Sequence, residues 1–312
     1  MTSDFPQFVN MNSVDRLELL SVDLLEQHSE LVESIRGRAE QFGIQLGWHY
    51  DLDLAWIASQ LGDPAGRRIL DAGGGTGVLQ WWLADQGAEI VSVDRLDRSD
   101  LSGRFRLRYR VDGLRPGDLD SAWRAVWRRL RQGEKSIGYR LRGALRAGLT
   151  GIFGPFVPKA AGQVTLHRHD LGNMPELEQE SFDAVVSVSS LEHNDQSSVL
   201  PQVVQELMRV LRPGGVLLAT LAATRDQDWY HEPSQGWCLT EATLRSAFGM
   251  PPDSVTNFSE YDSLFAELRN SEALRERLAP MLFESGESGM PWGVWDPKYH
   301  PIGIRRHKRV LG

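Results

Sequence analysis

Residues 67–94 constrain the fold of this chain more than any other stretch. "RRILDA" (67–72) is a short apolar strand that runs straight into the glycine cluster "GGGTG" (73–77). "GVLQWWLADQG" (77–87) reads as a helix with Val78, Leu79, Trp82 and Leu83 turned inward and Gly87 as its stop. "AEIVSVD" (88–94) is a strand ending in an acid. Strand, glycine turn, helix and strand make a βαβ unit, whose two strands run parallel in one sheet. Glycines at its first turn let the backbone come close to a ligand.

The pattern resumes after residue 162. "QVTLHRHD" (163–170) alternates as a strand does, and "FDAVVSVSS" (182–190) is a nearly continuous apolar run, as expected for a strand covered on both faces. "SSVLPQVVQELMRVLRPGG" (197–215) is an amphipathic helix, and "GVLLATLA" (215–222) a fifth strand. "LTEATLRSAFG" (239–249) is a helix with Thr240 as its N-cap, and "PIGIRRHKRV" (301–310) is expected as a last, edge strand. Before the βαβ unit, residues 13–42 and 51–62 read as helices, the second ending at Gly62 with Pro64 beyond. Alternating strands and helices predict an α/β, doubly wound, mostly parallel sheet, with residues 1–62 as an N-terminal helical cap on a domain of residues 63–312.

In such a sheet the ligand lies beyond the carboxyl ends of the strands. The dinucleotide fingerprint G-x-G-x-x-G fails here in both registers, because Val78 or Gln80 stands where the third glycine belongs. The pattern that fits is D-x-G-x-G-x-G: Asp71, Gly73, Gly75 and Gly77. An acid before the glycines repels a pyrophosphate and suits a ligand with an ammonium group beside a sulfonium. The motif resembles the first motif of the class I S-adenosylmethionine-dependent methyltransferases. Asp94 ends the second strand, Asp170 ends the third, and "VLRPGGVLLAT" (210–220) is similar to the family's helix, turn and fifth strand. The resemblance implies a seven-stranded sheet and S-adenosylmethionine as cofactor. It implies that Asp94 meets the ribose hydroxyls and Asp170 the adenine amino group, with Arg95, Leu171 and Ser189 as further cofactor contacts.

Between Asp94 and Asp170 the chain is far longer than a βαβ crossover needs, and this insertion (about 97–162) is basic. Residues 95–168 hold 17 basic and 6 acidic residues, whereas the rest of the chain holds 17 and 36. "DLDSAWRAVWRRLRQG" (118–133) sets Trp123, Val126, Trp127 and Leu130 on one helical face and Arg124, Arg128, Arg129 and Arg131 around it. "YRLRGALRAGLTGIFGPFVP" (139–158) mixes leucines with Arg140, Arg142 and Arg146. Such a segment suits a helical lid, an interfacial contact with a membrane, or a site for an anionic substrate. Overall acidity (net charge −8) and the lack of a recognisable binding module argue against nucleic acid, so the expected partner is a small-molecule or lipid-linked acceptor.

Methyl transfer to a hydroxyl is expected, with an N- or C-methyltransferase, or a non-catalytic S-adenosylmethionine-binding or membrane-surface protein, as the alternatives; a hydroxyl acceptor needs a base. His193, in "SSLEHND" just past the fourth strand, is the first candidate and His231, in "DWYHEPSQGWC" (228–238), the second. Trp229, Tyr230 and Trp237 are candidate walls for an acceptor within a lid region at about 223–300, as are "GMPWGVWDPKYHPIG" (289–303) and "GWHYDLDLAW" (47–56), the latter with Tyr50 near the methionine end of the cofactor. His193, His231 and Glu232 lack the spacing of a metal site, so no metal is expected. The single cysteine, Cys238, excludes an intramolecular disulfide and a cysteine-based zinc cluster, and with no signal-like N-terminal segment a cytoplasmic location is expected.

Overall fold

The computed structural model describes residues 14–131, 137–153, 156–194, 196–278, 280, 290 and 294–310. In chain order the elements are β1 (Arg16–Leu19), α1 (Leu24–Gln27), α2 (Ser29–Gln41), α3 (Tyr50–Leu61), β2 (Arg68–Ala72), α4 (Leu79–Asp85) and β3 (Glu89–Asp94). Then come α5 (Gly103–Arg108), β4 (Arg110–Gly113), α6 (Ala122–Arg131), α7 (Ile137–Phe153), β5 (Gln163–Arg168), β6 (Phe182–Val188), α8 (Leu200–Val210) and β7 (Leu211–Ala223). The chain closes with β8 (Trp229–His231), β9 (Gly236–Leu239), α9 (Glu241–Ala247), β10 (Val255–Thr256), α10 (Tyr261–Arg269), α11 (Glu272–Arg277) and β11 (His300–His307).

The pleat sorts the apolar residues of the central strands onto two faces. Ile69, Ile90, Val186 and Leu218 belong to one core, which α3 and α4 cover with Trp56, Ile57, Trp82 and Leu83. Their neighbours Leu70, Val91, Val185 and Leu217 belong to the other, covered by Val203, Leu207 and Val210 of α8. This double burial is why the strands read as continuous apolar runs rather than alternating ones. The order is β10-β1-β11-β7-β6-β2-β3-β5-β4, with β9 pairing β7 and β8 pairing β9. The centre, β7-β6-β2-β3-β5-β4, is parallel throughout. The fold is the α/β, mostly parallel sheet expected, with eleven strands among the described residues in place of seven.

Three elements differ from the sequence reading. Residues 16–19 form a strand, not the start of a helix: Leu17 and Leu19 alternate inward and pair antiparallel with Ile304 and Ile302 of β11. Four residues of alternation were hidden by the leucines that follow, which also satisfy helical spacing; residue 13 of that expected helix lies outside the described residues. The segment 1–62 is therefore not helical throughout, since β1 belongs to the main sheet. β11 is an interior strand, antiparallel to both β7 and β1, rather than an edge. The insertion is not wholly helical either, because it contributes β4 to the far edge of the sheet. Its α5 is anchored by Phe105, stacked at 4.5 Å on both Phe42 and Trp81, while α6 and α7 pack against each other.

Candidate functional site

A cavity of about 500 Å³ lies beyond the carboxyl ends of β2, β3, β5 and β6, a volume typical of a small-molecule site. Its floor is the turn after β2. Gly73 has φ +75°, and a Cβ there would lie 1.7 Å from Ser190 Oγ, so only glycine lets the turns after β2 and β6 touch. At Gly74, which the sequence reading left out, a Cβ would sit 2.0 Å from Asp71 Oδ2. Asp71 is buried beneath this turn, and the Ser92 hydroxyl donates to its Oδ2 at 3.1 Å. Burial pushes its carboxyl up to about 6, against the opposing pull of the Arg98 guanidinium and the Ser92 hydroxyl.

The acids at the strand ends form the next wall. Asp94 accepts the Gly75 amide on Oδ2 at 2.8 Å and the Leu96 amide on Oδ1 at 2.7 Å. A carboxylate has about four acceptor positions, so two remain for a ligand. Asp170 accepts the Gly172 amide at 2.7 Å and pairs with Arg95, whose Nε lies 2.7 Å away. Partial burial raises the Asp170 carboxyl, but the Gly172 amide and the Arg95 guanidinium outweigh it and hold the group below its ordinary range. The cavity wall brings together the nine positions singled out for the cofactor, with Gly77, Leu171 and Ser189 completing the set, and adds His193.

The end of β6 is strained. Ser189 sits at φ +41°, a conformation costing a non-glycine residue about 1–3 kcal/mol. The strain turns its hydroxyl to donate to Glu192 Oε1 at 2.7 Å. Glu192 is buried, its Oε2 has no hydrogen-bond partner among the described residues, and burial raises its carboxyl. His193 is exposed, and its Nδ1 lies 2.9 Å from the Gln235 carbonyl. That carbonyl can only accept, so Nδ1 carries the proton and the lone pair is left on Nε2.

Behind the cavity wall lies a buried polar network that the sequence reading missed. His49 Nδ1 lies 2.7 Å from Asp53 Oδ2, one helical turn away. The His49 Nε2 faces the Tyr299 hydroxyl at 3.4 Å, and that hydroxyl accepts from Trp48 Nε1 at 3.3 Å. Tyr50, which lines the cavity, packs edge-on against His49 at 5.4 Å. His231 belongs to this rear layer: its ring meets Tyr299 edge-on at 5.4 Å, its Nδ1 lies 2.7 Å from Ser234 Oγ, and it does not line the cavity. Burial lowers its pKa, with Lys298 adding to the effect. Trp237 donates to the carbonyl of Asn194, a cavity residue, at 3.2 Å, and Tyr230 packs edge-on against Trp237 at 5.4 Å. Of the loop 289–303, Trp295 and Tyr299 pack on Trp48, whereas residues 289 and 291–293 lie outside the described residues.

A family model described as a methyltransferase domain matches residues 155–219, the segment from β5 to β7. The match agrees with the methyltransferase resemblance that the glycine turn carries. S-adenosylmethionine is the cofactor of the methyltransferases that the chain resembles, and the cavity suits it in size, in its glycine-lined floor and in its acids at the strand ends. Among similar proteins, a tRNA U34 carboxymethyltransferase of Psychrobacter arcticus is 41% identical over 56 residues, 18% of this chain and 16% of the relative. A ribosomal RNA small subunit methyltransferase C of Chromohalobacter salexigens is 50% identical over 38 residues, 12% of this chain and 11% of the relative. A tRNA U34 carboxymethyltransferase of Idiomarina loihiensis is 25% identical over 225 residues, 70% of this chain and 52% of the relative. The chain thus spans about half, or much less, of the curated relatives that it matches.

These names correct the partner expectation. A methyltransferase without a nucleic-acid partner was expected from overall acidity, yet the curated relatives are named for tRNA and ribosomal RNA. Net charge misled because it averages a basic insertion with an acidic remainder. Among the described residues, no helix is long and apolar enough to cross a membrane.

Proposed function

We propose that this chain transfers a methyl group from S-adenosylmethionine to a hydroxyl oxygen of an RNA nucleotide, with His193 as the base. The observation that carries the reading is the imidazole at the cavity wall whose Nδ1 is pinned by the Gln235 carbonyl, leaving a lone pair on Nε2. In this reading Asp94 receives the ribose diol on its two remaining acceptor positions. Asp170, Arg95 and Leu171 border the adenine, while Asp71, Ser189 and the turn of Gly73, Gly75 and Gly77 hold the methionine end. Bound there, S-adenosylmethionine supplies an electrophilic methyl carbon on a sulfonium. The chain's part is to align the acceptor and to take its proton on His193 Nε2. His231, separated from the cavity, supports the Tyr299 layer rather than touching substrate. The RNA acceptor is supported by the relatives' names and by α6, where exposed Trp123 and Trp127 stand among Arg124, Arg128 and Arg131: stacking surfaces beside cations suit unpaired nucleotides.

Two experiments test this. Isothermal titration with S-adenosylhomocysteine, with NAD as control, is expected to give micromolar binding that Asp94→Ala abolishes; binding of NAD instead would remove the cofactor assignment. Labelled methyl donor is then offered with purified tRNA, ribosomal RNA and a small-metabolite extract. Label is expected in RNA, and His193→Ala is expected to lower kcat by about 10²–10⁴-fold while leaving S-adenosylhomocysteine binding intact. Label in the metabolite fraction alone would overturn the RNA acceptor. Full activity of His193→Ala at neutral pH would overturn the base and favour an amine acceptor.

A further inference from the structure

A second constellation of chemistry-bearing side chains lies at the end of β5, just before Asp170, and in the loop that follows. His167 is on β5 and His169 follows it at the next position facing the same way, with the two rings stacked at 5.2 Å and 21°. Glu176, in the loop after β5, places Oε2 at 3.5 Å from His167 Nε2 and 3.8 Å from His169 Nε2. The three ligand atoms lie within 4.8 Å of one another. With metal–nitrogen bonds near 2.0–2.1 Å, ligands of a tetrahedral ion stand about 3.4 Å apart, so both distances to Glu176 already approach that spacing.

His167 is fully buried, and its Nδ1 lies 2.9 Å from Asp118 Oδ2. Asp118 is itself held by two backbone amides, those of Arg115 at 2.9 Å and Arg168 at 3.2 Å. Asp118 faces Nδ1, so the buried Nε2, which has no hydrogen-bond partner among the described residues, is the ring atom presented to Glu176 and is free to serve as a ligand atom. An imidazole nitrogen and a carboxylate oxygen at this distance call for a cation between them, either a metal ion or an added proton. Arg115 does not fill that place: its Nη1 binds the other oxygen of Glu176, Oε1, at 2.7 Å, and its Nη2 the Arg168 carbonyl at 2.9 Å. Two carboxylates, Asp118 and Glu176, against one guanidinium, Arg115, leave the cluster with an excess of negative charge that attracts a cation.

We propose that His167, His169 and Glu176 bind a divalent transition-metal ion, with Asp118 orienting His167 from behind. Two imidazoles and one carboxylate select a borderline ion such as Zn²⁺ over Mg²⁺ or Ca²⁺. The carboxylate behind a ligating histidine is the arrangement that fixes ring orientation and raises ligand basicity. These residues are distinct from His193, His231 and Glu232. The ion ties the end of β5 to the loop that follows it and so fixes the strand end that carries Asp170.

The test uses the full-length, untagged protein, stripped with chelator and titrated with Zn²⁺ by calorimetry and with Co²⁺ by its visible d–d absorption. One equivalent is expected to bind, with Co²⁺ giving the intense bands of a four-coordinate site. His169→Ala and Glu176→Gln, both at partly exposed positions, are expected to weaken binding at least tenfold while leaving far-UV circular dichroism and the unfolding midpoint of the metal-free protein unchanged. Asp118→Asn is expected to weaken it about 10–100-fold. Absence of one-equivalent binding, or binding unaffected in both His169→Ala and Glu176→Gln, would overturn the site and leave the cluster as a protonated His167 paired with Glu176.

Discussion

At the scale of single residues, Asp71 shows how burial and charge compete beneath the glycine turn. Its carboxyl is pushed from the ordinary 3.8 to about 6 in the folded protein. An acid whose folded pKa is raised favours the folded state while it is protonated, below the unfolded value. That advantage is lost as pH rises from about 4 to about 6, because the folded state must then give up a proton that the unfolded state has already lost. The difference corresponds to about 3 kcal/mol. Asp71→Asn removes the titration and keeps the shape. Denaturant midpoints measured from pH 4 to pH 7 are expected to show the variant gaining on the native chain by about that amount as pH rises; parallel curves would mean that Asp71 stays ionised in the fold. The positions around the cavity were legible because their signals are local: glycines one apart behind an acid, and acids that end strands. The network of His49, Asp53 and Tyr299 was not legible, since Tyr299 lies 250 residues from His49. Its one local trace, a histidine four residues before an aspartate, is common on ordinary helices.

At the scale of elements, the same distinction separates what was read from what was missed. The βαβ unit, α8 and α9 announce themselves through periodicity and caps, such as the Thr240 side chain accepting the Thr243 amide. β1 and β4, four residues each, are too short for a period to emerge and exist because β11 and β5 offer them partners. The basic pair α6 and α7 was legible in composition. Arg128 is partly committed, to Asp120 at 2.7 Å and Ser99 at 3.0 Å. Arg124 is mostly exposed, 4.0 Å from Asp120, and Arg131 lies over the Trp127 ring at 5.9 Å. If Arg124 and Arg131 meet phosphates of an RNA acceptor, each releases counterions on binding. Replacing both by alanine is then expected to flatten the slope of log K against log salt by about 1.4 for a single strand. Unchanged slopes, measured by fluorescence anisotropy with labelled RNA, would place the RNA elsewhere on the molecule.

At the scale of the whole molecule, the two ends of the chain and the cavity are joined through one close contact. Gly303 in β11 stands between Glu18 of β1 and Thr220 of β7, and a Cβ there would come within 2.4 Å of the Trp56 ring. Trp56 is fully buried and donates from its indole to Glu18 Oε2 at 3.0 Å, so it cannot retreat without breaking its bond to β1. It lies on α3, the same helix that sends Tyr50 to the cavity and Asp53 to the network behind it. This three-way junction explains why the first described strand and the last both belong to the central sheet. Gly303→Ala therefore tests more than a strand position. Overpacking of this kind costs about 1–3 kcal/mol, and here the displaced element is the helix that backs the cofactor cavity. Chemical denaturation is expected to show a loss in that range, and titration with S-adenosylhomocysteine a weaker affinity, because α3 shifts with Trp56. Lost stability with unchanged affinity would mean that the sheet absorbs the added methyl group and that α3 is decoupled from the strands beneath it. A native midpoint would mean that Trp56 and β11 move apart to admit the methyl group at no cost.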